Sequence, residues 1–202
     1  SVAVIEREDL GGICLNWGCI PTKALLRSAE VYHLAKTSNE YGFKVKDIEI
    51  DIDAIVKRSR NVANQLNSGV GYLLQKNKVD VLNGHARLLG EGRIGVEVDG
   101  TQVMEVSAKH IILATGARAR DLPTMEADGK QIWNYRHALV ADIIPKRLLV
   151  VGSGAIGIEF ASFFNTLGSE VTVVEVLDRV LPVEDEEISA LAHKAFERQG
   201  MR

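Results

Sequence analysis

The spacing of apolar residues divides the first third of the chain into one strand and two long helices. Val2 to Glu6 is an apolar run that ends in an acid, which is typical of a buried parallel strand. Apolar residues then recur at helical spacing from about Pro21 to Ala35, and again from Ile52 to about Lys76. Asp51 precedes the second helical segment and is well suited to cap it.

The middle of the chain shows the alternation of β-structure. Residues 79–89 are strand-like, and Asp99-Gly100 is a typical hairpin turn between two alternating segments, whose apolar positions are Ile94, Val96, Val98, Val103 and Val106. His110 to Ala114 predicts a further short strand. A linker that contains Pro123, Gly129 and Pro145 follows this region.

The last part of the chain predicts a strand–helix–strand unit. Its strands are Leu148 to Val151 and Glu170 to Glu175, and its helix is Ala155 to Leu167. Glu184 to Met201 has the pattern of one more helix. The predicted fold class is therefore α/β, with two Rossmann-like halves, of which the first lacks its opening strand and turn.

Composition and charge exclude some classes of function. The 202 residues are 46% apolar and 25% charged, which is ordinary for a globular protein. The net charge of −3 argues against a nucleic-acid-binding surface. No apolar run approaches the roughly 20 residues needed to cross a membrane. We therefore expect neither nucleic acid nor a membrane as a partner.

Both ends of the sequence are abrupt. The chain opens directly on the predicted strand at Val2, without an initiator Met, and the last helical segment runs almost to Arg202. We therefore expect further residues of the protein on both sides of the sequence.

Gly152, Gly154 and Gly157 form a G-x-G-x-x-G pattern between an apolar strand and a helix, the setting that a dinucleotide-binding turn requires. The first glycine permits the tight turn, the second lets the backbone approach a pyrophosphate, and the third lets helix and strand pack closely. Glu175 follows about 20 residues later, where an acid would hold a ribose 2′-hydroxyl and repel a 2′-phosphate. This pattern predicts binding of NAD rather than NADP, although Arg179 lies nearby.

Cys14 and Cys19 are the only cysteines, in the spacing C-x4-C. On a regular helix, side chains five positions apart point about 140° away from each other and lie about 7.5 Å apart along the axis. A disulfide needs Cα atoms about 4.4–6.8 Å apart, so a bond would require non-helical backbone, which Gly18 allows. Pro21 suits the first turn of a helix, and we therefore expect Cys19 near a helix N-terminus, where a thiolate is stabilised.

The spacing of the cysteines alone leaves several interpretations open. Redox activity is one of them. Zinc binding would require about two more ligands, and the histidines are scattered along the chain. A structural disulfide or two inert buried thiols are the remaining interpretations.

The segment from Leu10 to Leu26, LGGICLNWGCIPTKALL, resembles the redox-disulfide signature of the pyridine nucleotide-disulfide oxidoreductases. Within that family, the stretch IPTKALL is most similar to the dihydrolipoamide dehydrogenases. The end of the long helix near Lys76, the Ala-Thr-Gly at 114–116 and residues 152–159 resemble the same family in the same order. The resemblance therefore covers essentially the whole chain.

This resemblance implies an FAD-binding domain over residues 1–118 and an NAD-binding domain over residues 119–202, both incomplete, without the interface domain of the family. The residues that it places around FAD are Glu6 at the adenosine ribose, Gly11 and Gly12 at the phosphates, Ala86 beside the adenine, Lys23 near the reactive nitrogen, and Thr115 and Gly116 on the flavin side.

The resemblance also implies catalytic roles. Cys14 would exchange with the substrate disulfide, Cys19 would face the flavin as a charge-transfer thiolate, and Lys23 would pair with Glu159. Without the resemblance, Lys23 and Glu159 are predicted to be ordinary residues of helix surfaces.

The implied reaction passes two electrons from dihydrolipoamide to the cysteine pair, then to FAD, and then as hydride to NAD. The implied partners are dihydrolipoamide on a lipoyl domain, the acyltransferase core of a 2-oxo acid dehydrogenase complex, and a second copy of the complete protein. The implied location is the cytoplasm, or the mitochondrial matrix in a eukaryote.

Two alternatives remain. One is another flavin disulfide reductase, similar to glutathione reductase or mercuric reductase, and the other is a nucleotide-binding chain without catalysis. The His–Glu base of the family falls outside the sequence, and none of the five histidines has a matching motif. We therefore expect the 202 residues alone to be inactive, with the activity belonging to the complete protein.

Overall fold

The computed structural model describes all of residues 1–202. It contains seven strands, β1 (Val2–Glu6), β2 (Val79–Asn83), β3 (His85–Gly90), β4 (Arg93–Val98), β5 (Thr101–Ser107), β6 (Arg147–Val151) and β7 (Glu170–Val174). Its six α-helices are α1 (Gly12–Trp17), α2 (Cys19–Lys36), α3 (Ile52–Lys76), α4 (Tyr135–Leu139), α5 (Ala155–Thr166) and α6 (Glu186–Arg198), and a short 3-10 helix covers Ser38–Tyr41.

Two pairs of parallel strands define the architecture. β1 pairs with β2, with Val2 opposite Val79, and the chain passes through α1, α2 and α3 between them. β6 pairs with β7, with Arg147 opposite Glu170, and α5 connects them. Strands β3, β4 and β5 form a separate antiparallel sheet. The predicted α/β class is confirmed, and each parallel pair is joined through helices as in a Rossmann-type fold.

The helices follow the predicted spacing closely, and their ends have local causes. The Asp51 carboxylate accepts a hydrogen bond from the Ala54 amide at 2.9 Å, which caps α3 as predicted. α2 begins at Cys19, two residues before the predicted start. Thr22 stabilises that first turn, since its hydroxyl donates to the Gly18 carbonyl at 2.8 Å.

The predicted strand at His110 to Ala114 is wrong. These residues have no regular structure, and the Ile112 side chain is 91% exposed. A strand needs a neighbour for its backbone N–H and C=O groups. In the structure no strand lies beside this segment, so local apolar pattern alone does not make it a strand.

The segment predicted as one strand over residues 79–89 is two strands in different sheets. Gly84 separates them with φ of +153°, and its amide donates to the Glu6 carbonyl at 2.9 Å. A Cβ on Gly84 would lie 2.7 Å from a methyl group of Val96. Glycine is therefore required where the chain leaves the parallel pair for the antiparallel sheet.

The main hydrophobic core lies between α2 and α5. It combines small residues of α2 with the aromatic face of α5 and residues around α4 and β7, and its members are Leu25, Ala29, Ala138, Leu139, Ala141, Phe160, Ala161, Phe163, Phe164, Leu167, Val171 and Met201. Phe163 and Phe164 contact each other edge-to-face with ring centres 4.9 Å apart. The core draws residues from both sides of the predicted boundary near residue 118, and the division into two domains stays a prediction.

The sequence pattern did not predict α4, which has only five residues. Its N-terminus is fixed by a reciprocal cap, in which the Asn134 side chain accepts from the Arg136 amide and the His137 ring accepts from the Asn134 amide. Five residues are too few for an apolar period to emerge.

None of the helices combines the length and the hydropathy that crossing a membrane requires.

Candidate functional site

The two cysteines lie on either side of a break between helices. Cys14 lies within α1, and Cys19 is the first residue of α2. Gly18 separates the two helices with φ −143° and ψ −120°. The non-helical backbone that was expected between the cysteines is therefore present, with Cys19 at a helix N-terminus. Both side chains are exposed free thiols.

The absence of a side chain at Gly18 lets the chain fold back on α1. A Cβ there would lie 3.0 Å from both the Cys14 Cα atom and the Ile13 carbonyl oxygen. This close approach brings Cys19 beside Cys14. Hydrogen bonding with the Cys19 thiol is the main cause that raises the pKa of Cys14, and the positive charge of Lys23 opposes part of that rise.

An ion pair joins α2 to α5 next to the cysteines. The Lys23 ammonium donates to the Glu159 carboxylate at 2.5 Å. This hydrogen bond raises the pKa of Lys23, so the stability that the lysine charge contributes is present below its ordinary value of 10.5 and is lost as the pH rises through the raised pKa. The Lys23 side chain is 60% exposed, and solvent screening limits the pair to less than about 1 kcal/mol of stability.

The contact between Lys23 and Glu159 that the family resemblance implied is thus present. Because the pair contributes little to stability, its geometric effect is more important. It fixes the position of a positive charge on the face of α2 that carries Cys19, since Lys23 lies one helical turn after that residue.

The glycine-rich turn between β6 and α5 has the geometry of a dinucleotide-binding turn. Gly152 adopts φ of +99°, which favours glycine. A Cβ on Gly157 would collide with the Gly152 carbonyl oxygen, so the helix can pack on the turn only with glycine at this position. Nothing lies within 4 Å of the position of a Cβ on Gly154, which leaves the backbone open to a ligand.

This turn fits the pyrophosphate of a dinucleotide. No side chain caps α5 at Gly154, and the amides of Ala155 and Ile156 have no hydrogen-bond partner in the first turn of the helix. Free amides at a helix start attract phosphate oxygens, and the helix dipole adds to the attraction.

The Glu175 carboxylate, which follows β7 directly, is held by four hydrogen bonds. One oxygen accepts from the Ser153 amide and hydroxyl, both at 2.8 Å, and the other accepts from the amides of Val176 and Leu177. These bonds, with the Ser153 amide as the largest cause, lower the pKa of Glu175 to about 2. The carboxylate is therefore charged and fixed in direction beside the glycine-rich turn.

A cavity of about 230 Å³ lies beside Glu175. Ser153, Leu177 and Phe196 form part of its wall. Arg179 also lines this cavity, and one of its terminal nitrogens donates to the Pro182 carbonyl at 3.3 Å. The guanidinium is thus turned partly toward its own loop, where it is less available to a ribose phosphate.

Three of the residues assigned to FAD, Glu6, Gly11 and Gly12, lie at the end of β1 or shortly after it. Gly11 and Gly12 have φ of +93° and +68°. The Glu6 carboxylate accepts from the amides of Arg7 and Glu8, both at 2.8 Å. The Arg7 guanidinium lies 3.2 Å from a ring nitrogen of His85, which brings β3 beside this end of β1.

Ala86 is exposed on β3, where it pairs with Val96. Thr115 and Gly116 are exposed in a segment without regular structure, and no hydrogen bond or ion pair joins them to the other predicted residues. The nearby Arg118 lies 3.8 Å from Glu8, which holds this segment near the end of β1.

Sequence reasoning missed several residues that shape the site. Ser153, which orients Glu175, occupies a variable position of the glycine pattern. Trp17, between the two cysteines in sequence, makes cation–π contacts with Arg60 and Arg136, whose guanidinium carbons lie 4.2 and 4.8 Å from its ring centre. Asn16 is 4% exposed and hydrogen-bonded within the cysteine motif. In the sequence, only its position between the two cysteines indicates that Asn16 belongs to the site.

The fold and this arrangement define a class of protein, the nucleotide-binding oxidoreductases that carry a thiol pair next to a dinucleotide turn. The profile of the pyridine nucleotide-disulphide oxidoreductases matches residues 1–202. The chain belongs to this family, whose cofactors are FAD and NAD. The resemblance seen in the cysteine signature is thus confirmed.

Individual relatives agree with this assignment. The chain is 54% identical over 202 residues to a dihydrolipoyl dehydrogenase of Zymomonas mobilis, covering 100% of this chain and 43% of that protein. It is 51% identical over 217 residues to a dihydrolipoyl dehydrogenase of Rhizobium etli, covering 100% of this chain and 45% of that protein. The crystal structure of LpdA from Mycobacterium tuberculosis superposes with a TM-score of 0.91 at 30% identity, over 100% of this chain and 44% of that chain. The chain thus spans less than half the length of the relatives it matches.

The bonds to Glu175 predict a change on Ser153→Ala. The lowered pKa of Glu175 contributes stability that is present above its ordinary value of 4.5 and is lost as the pH falls toward about 2. Removing the hydroxyl but not the amide should raise this pKa partway, which NMR titration of the carboxyl carbon measures.

The matched control for this substitution is Ser169→Ala. The Ser169 hydroxyl is also buried, but it donates to the Pro145 carbonyl at 2.6 Å instead of to a carboxylate. An unchanged Glu175 pKa in Ser153→Ala would show that the serine hydroxyl does not orient the acid.

Proposed function

We propose that the complete protein to which this chain belongs is a dihydrolipoamide dehydrogenase that oxidises dihydrolipoamide to lipoamide with NAD as the acceptor. The observation that carries the proposal is the junction at Gly18, which sets Cys14 and Cys19 side by side with the Lys23–Glu159 pair adjoining them. The two bacterial relatives at 54% and 51% identity, both named dihydrolipoyl dehydrogenase, support the proposal.

The cysteine pair performs thiol–disulfide exchange. A thiolate of dihydrolipoamide attacks the sulfur of Cys14, breaks the Cys14–Cys19 bond and leaves Cys19 as a thiolate. The second substrate thiol then attacks the mixed disulfide, which closes the lipoamide ring and releases Cys14. Two electrons and two protons leave the substrate, and two cysteine sulfurs are reduced.

The surroundings of the pair suit this division of roles. Cys19 begins α2, where the helix dipole stabilises a thiolate as it leaves. The ammonium of Lys23 adds a fixed positive charge near both sulfurs. Cys14, which is exposed on the short helix α1, takes the role of the sulfur that exchanges with the substrate.

FAD supplies the acceptor for the electrons of the thiol pair, and NAD accepts them as hydride. On the FAD side we assign Glu6, Gly11, Gly12, Lys23, Ala86, Thr115 and Gly116. On the NAD side we assign Gly152, Gly154 and Gly157 to the pyrophosphate and Glu175 to the ribose hydroxyls. Glu159 is five residues beyond Gly154, about 7.5 Å along α5. Because Glu159 also binds Lys23, α5 links the residues assigned to NAD with those assigned to FAD.

The remaining assignments depend on the same resemblance. The substrate is carried on a lipoyl domain, and the enzyme joins the acyltransferase core of a 2-oxo acid dehydrogenase complex. The complete protein forms a homodimer in the cytoplasm, or in the matrix of a mitochondrion. Residues 1–118 are its FAD-binding part and residues 119–202 belong to its NAD-binding part. We expect the 202 residues alone to lack activity, because they span less than half the length of the relatives they match.

Replacing either cysteine of the complete protein should abolish the reaction. We expect Cys14→Ser and Cys19→Ser to lower the rate of dihydrolipoamide oxidation by at least about a thousandfold, because the nucleophile is lost. NADH-dependent reduction of a one-electron dye does not need the cysteines and is the control. A non-catalytic nucleotide-binding protein would show neither activity, and retained lipoamide turnover in the variants would contradict the proposal.

A second test separates NAD from NADP as the acceptor. We expect Glu175→Gln to raise the KM for NAD about tenfold with little change in kcat, because a charged hydrogen bond to the ribose is lost. Glu170→Gln removes an exposed acid at the start of β7 and should leave the KM unchanged. Equal use of NADPH and NADH by the unmodified protein would instead favour the glutathione reductase-like alternative.

A further inference from the structure

A buried polar residue lies between the two exposed cysteines. Asn16 is 4% exposed, and its side-chain amide donates to the carbonyl oxygens of Leu10 at 2.9 Å and of Gly12 at 2.8 Å. Its side-chain oxygen accepts from the Asn67 amide at 3.1 Å. Both the nitrogen and the oxygen of the Asn16 side chain are therefore hydrogen-bonded inside the protein, although the cysteines on either side of it are exposed.

One face of α3 provides the partners of this residue. The Asn67 side chain also donates to the Leu10 carbonyl at 2.7 Å, and the Arg60 guanidinium donates to the Asn16 carbonyl at 2.5 Å. Residues seven positions apart lie on the same side of a helix, two turns from each other. We call Asn16, Arg60 and Asn67 the α1 anchor.

The helix that carries Cys14 needs such an anchor. α1 has six residues, no side-chain cap and no acid in its first turn. A helix of this length is not stable by itself, because nucleation costs more than its few hydrogen bonds return. None of its residues belongs to the main core, although Trp17 packs against that core.

Cys19 is held in a different way. It begins α2, an 18-residue helix that contributes Leu25 and Ala29 to the main core. The position of Cys19 therefore follows from core packing, whereas that of Cys14 depends on the polar contacts of the anchor. A change in the anchor shifts one cysteine relative to the other.

The relative position of the thiols sets the equilibrium between disulfide and dithiol. The closer two thiols are held, the higher their effective concentration, and the harder the disulfide is to reduce. In the structure the start of α2 lies directly against Cys14, since a Cβ on Gly18 would lie 3.0 Å from the Cys14 Cα atom.

We propose that Asn16, Arg60 and Asn67 are positioning residues for Cys14, which hold α1 against α3 and thereby set the redox equilibrium of the Cys14–Cys19 pair. This inference rests on the proposed function, since it concerns the same two cysteines. It assigns a redox role to residues of α3, the helix that is hydrogen-bonded to the segment around Cys14.

The test measures the disulfide–dithiol equilibrium in the complete protein. The protein is equilibrated with graded ratios of lipoamide to dihydrolipoamide, quenched in acid and alkylated, and the modified cysteines are counted by mass spectrometry. We expect Asn16→Ala to make the disulfide about tenfold easier to reduce, a shift of about 30 mV to a less negative potential. Asn67→Ala should shift it about threefold in the same direction, because Asn16 keeps its contacts with Leu10 and Gly12.

The matched control is Asn77→Ala. The Asn77 amide also donates to a backbone carbonyl, that of Leu73 at 2.7 Å, but it lies at the far end of α3. The disulfide–dithiol equilibrium of the Asn77→Ala protein should equal that of the unmodified protein. If Asn16→Ala does not fold, Asn67→Ala decides the question.

The outcomes separate this proposal from the function on which it rests. Folded Asn16→Ala and Asn67→Ala proteins with an unchanged equilibrium would overturn the positioning role and leave the proposed function standing. An unmodified protein that forms no Cys14–Cys19 disulfide at any ratio would overturn the proposed function.

Discussion

The packing of α2 against α5 is the constraint on which both halves of the site depend. The aromatic face of α5, with Phe160, Phe163 and Phe164, covers the small and aliphatic residues of α2 and excludes water between them. α2 begins with Cys19, and α5 begins directly after the dinucleotide turn. Packing the two helices therefore fixes Cys19 and the turn relative to each other. The Lys23–Glu159 contact crosses this interface and gains its geometry from it.

Glycines let the backbone make the two close approaches that the site requires. At Gly18 the chain comes against α1, so that a cysteine pair five positions apart meets in spite of the helical backbone on both sides. At Gly157 the helix comes against the turn, which brings free amides over the end of β6. A Cβ would collide with the backbone at Gly157 and would make an unusually tight backbone contact at Gly18. In both places the backbone shape is therefore specified by the absence of a side chain.

Features that depend on local pattern were predictable, and those that depend on distant partners were not. The cap at Asp51 and the break at Gly18 follow from the conformational preferences of single residues. The apolar segment at His110 to Ala114 was assigned as a strand, but a strand needs a partner that local sequence does not reveal. The Lys23–Glu159 contact spans 136 positions, and only the family resemblance indicated it. The bonds of Asn16 and Ser153 belong to polar residues in positions that carry no periodic signal.

The central claim is that Cys14 and Cys19 act as one two-electron redox unit beside FAD in the complete protein. The most direct measurement adds one equivalent of dihydrolipoamide to the oxidised, FAD-loaded protein without oxygen, while the visible spectrum is recorded and new thiols are mapped. The account predicts two new thiols, at Cys14 and Cys19, together with a long-wavelength shoulder on a flavin band that keeps most of its intensity. A flavin band that bleaches while both cysteines remain oxidised, or new thiols without any change in the flavin spectrum, would contradict it.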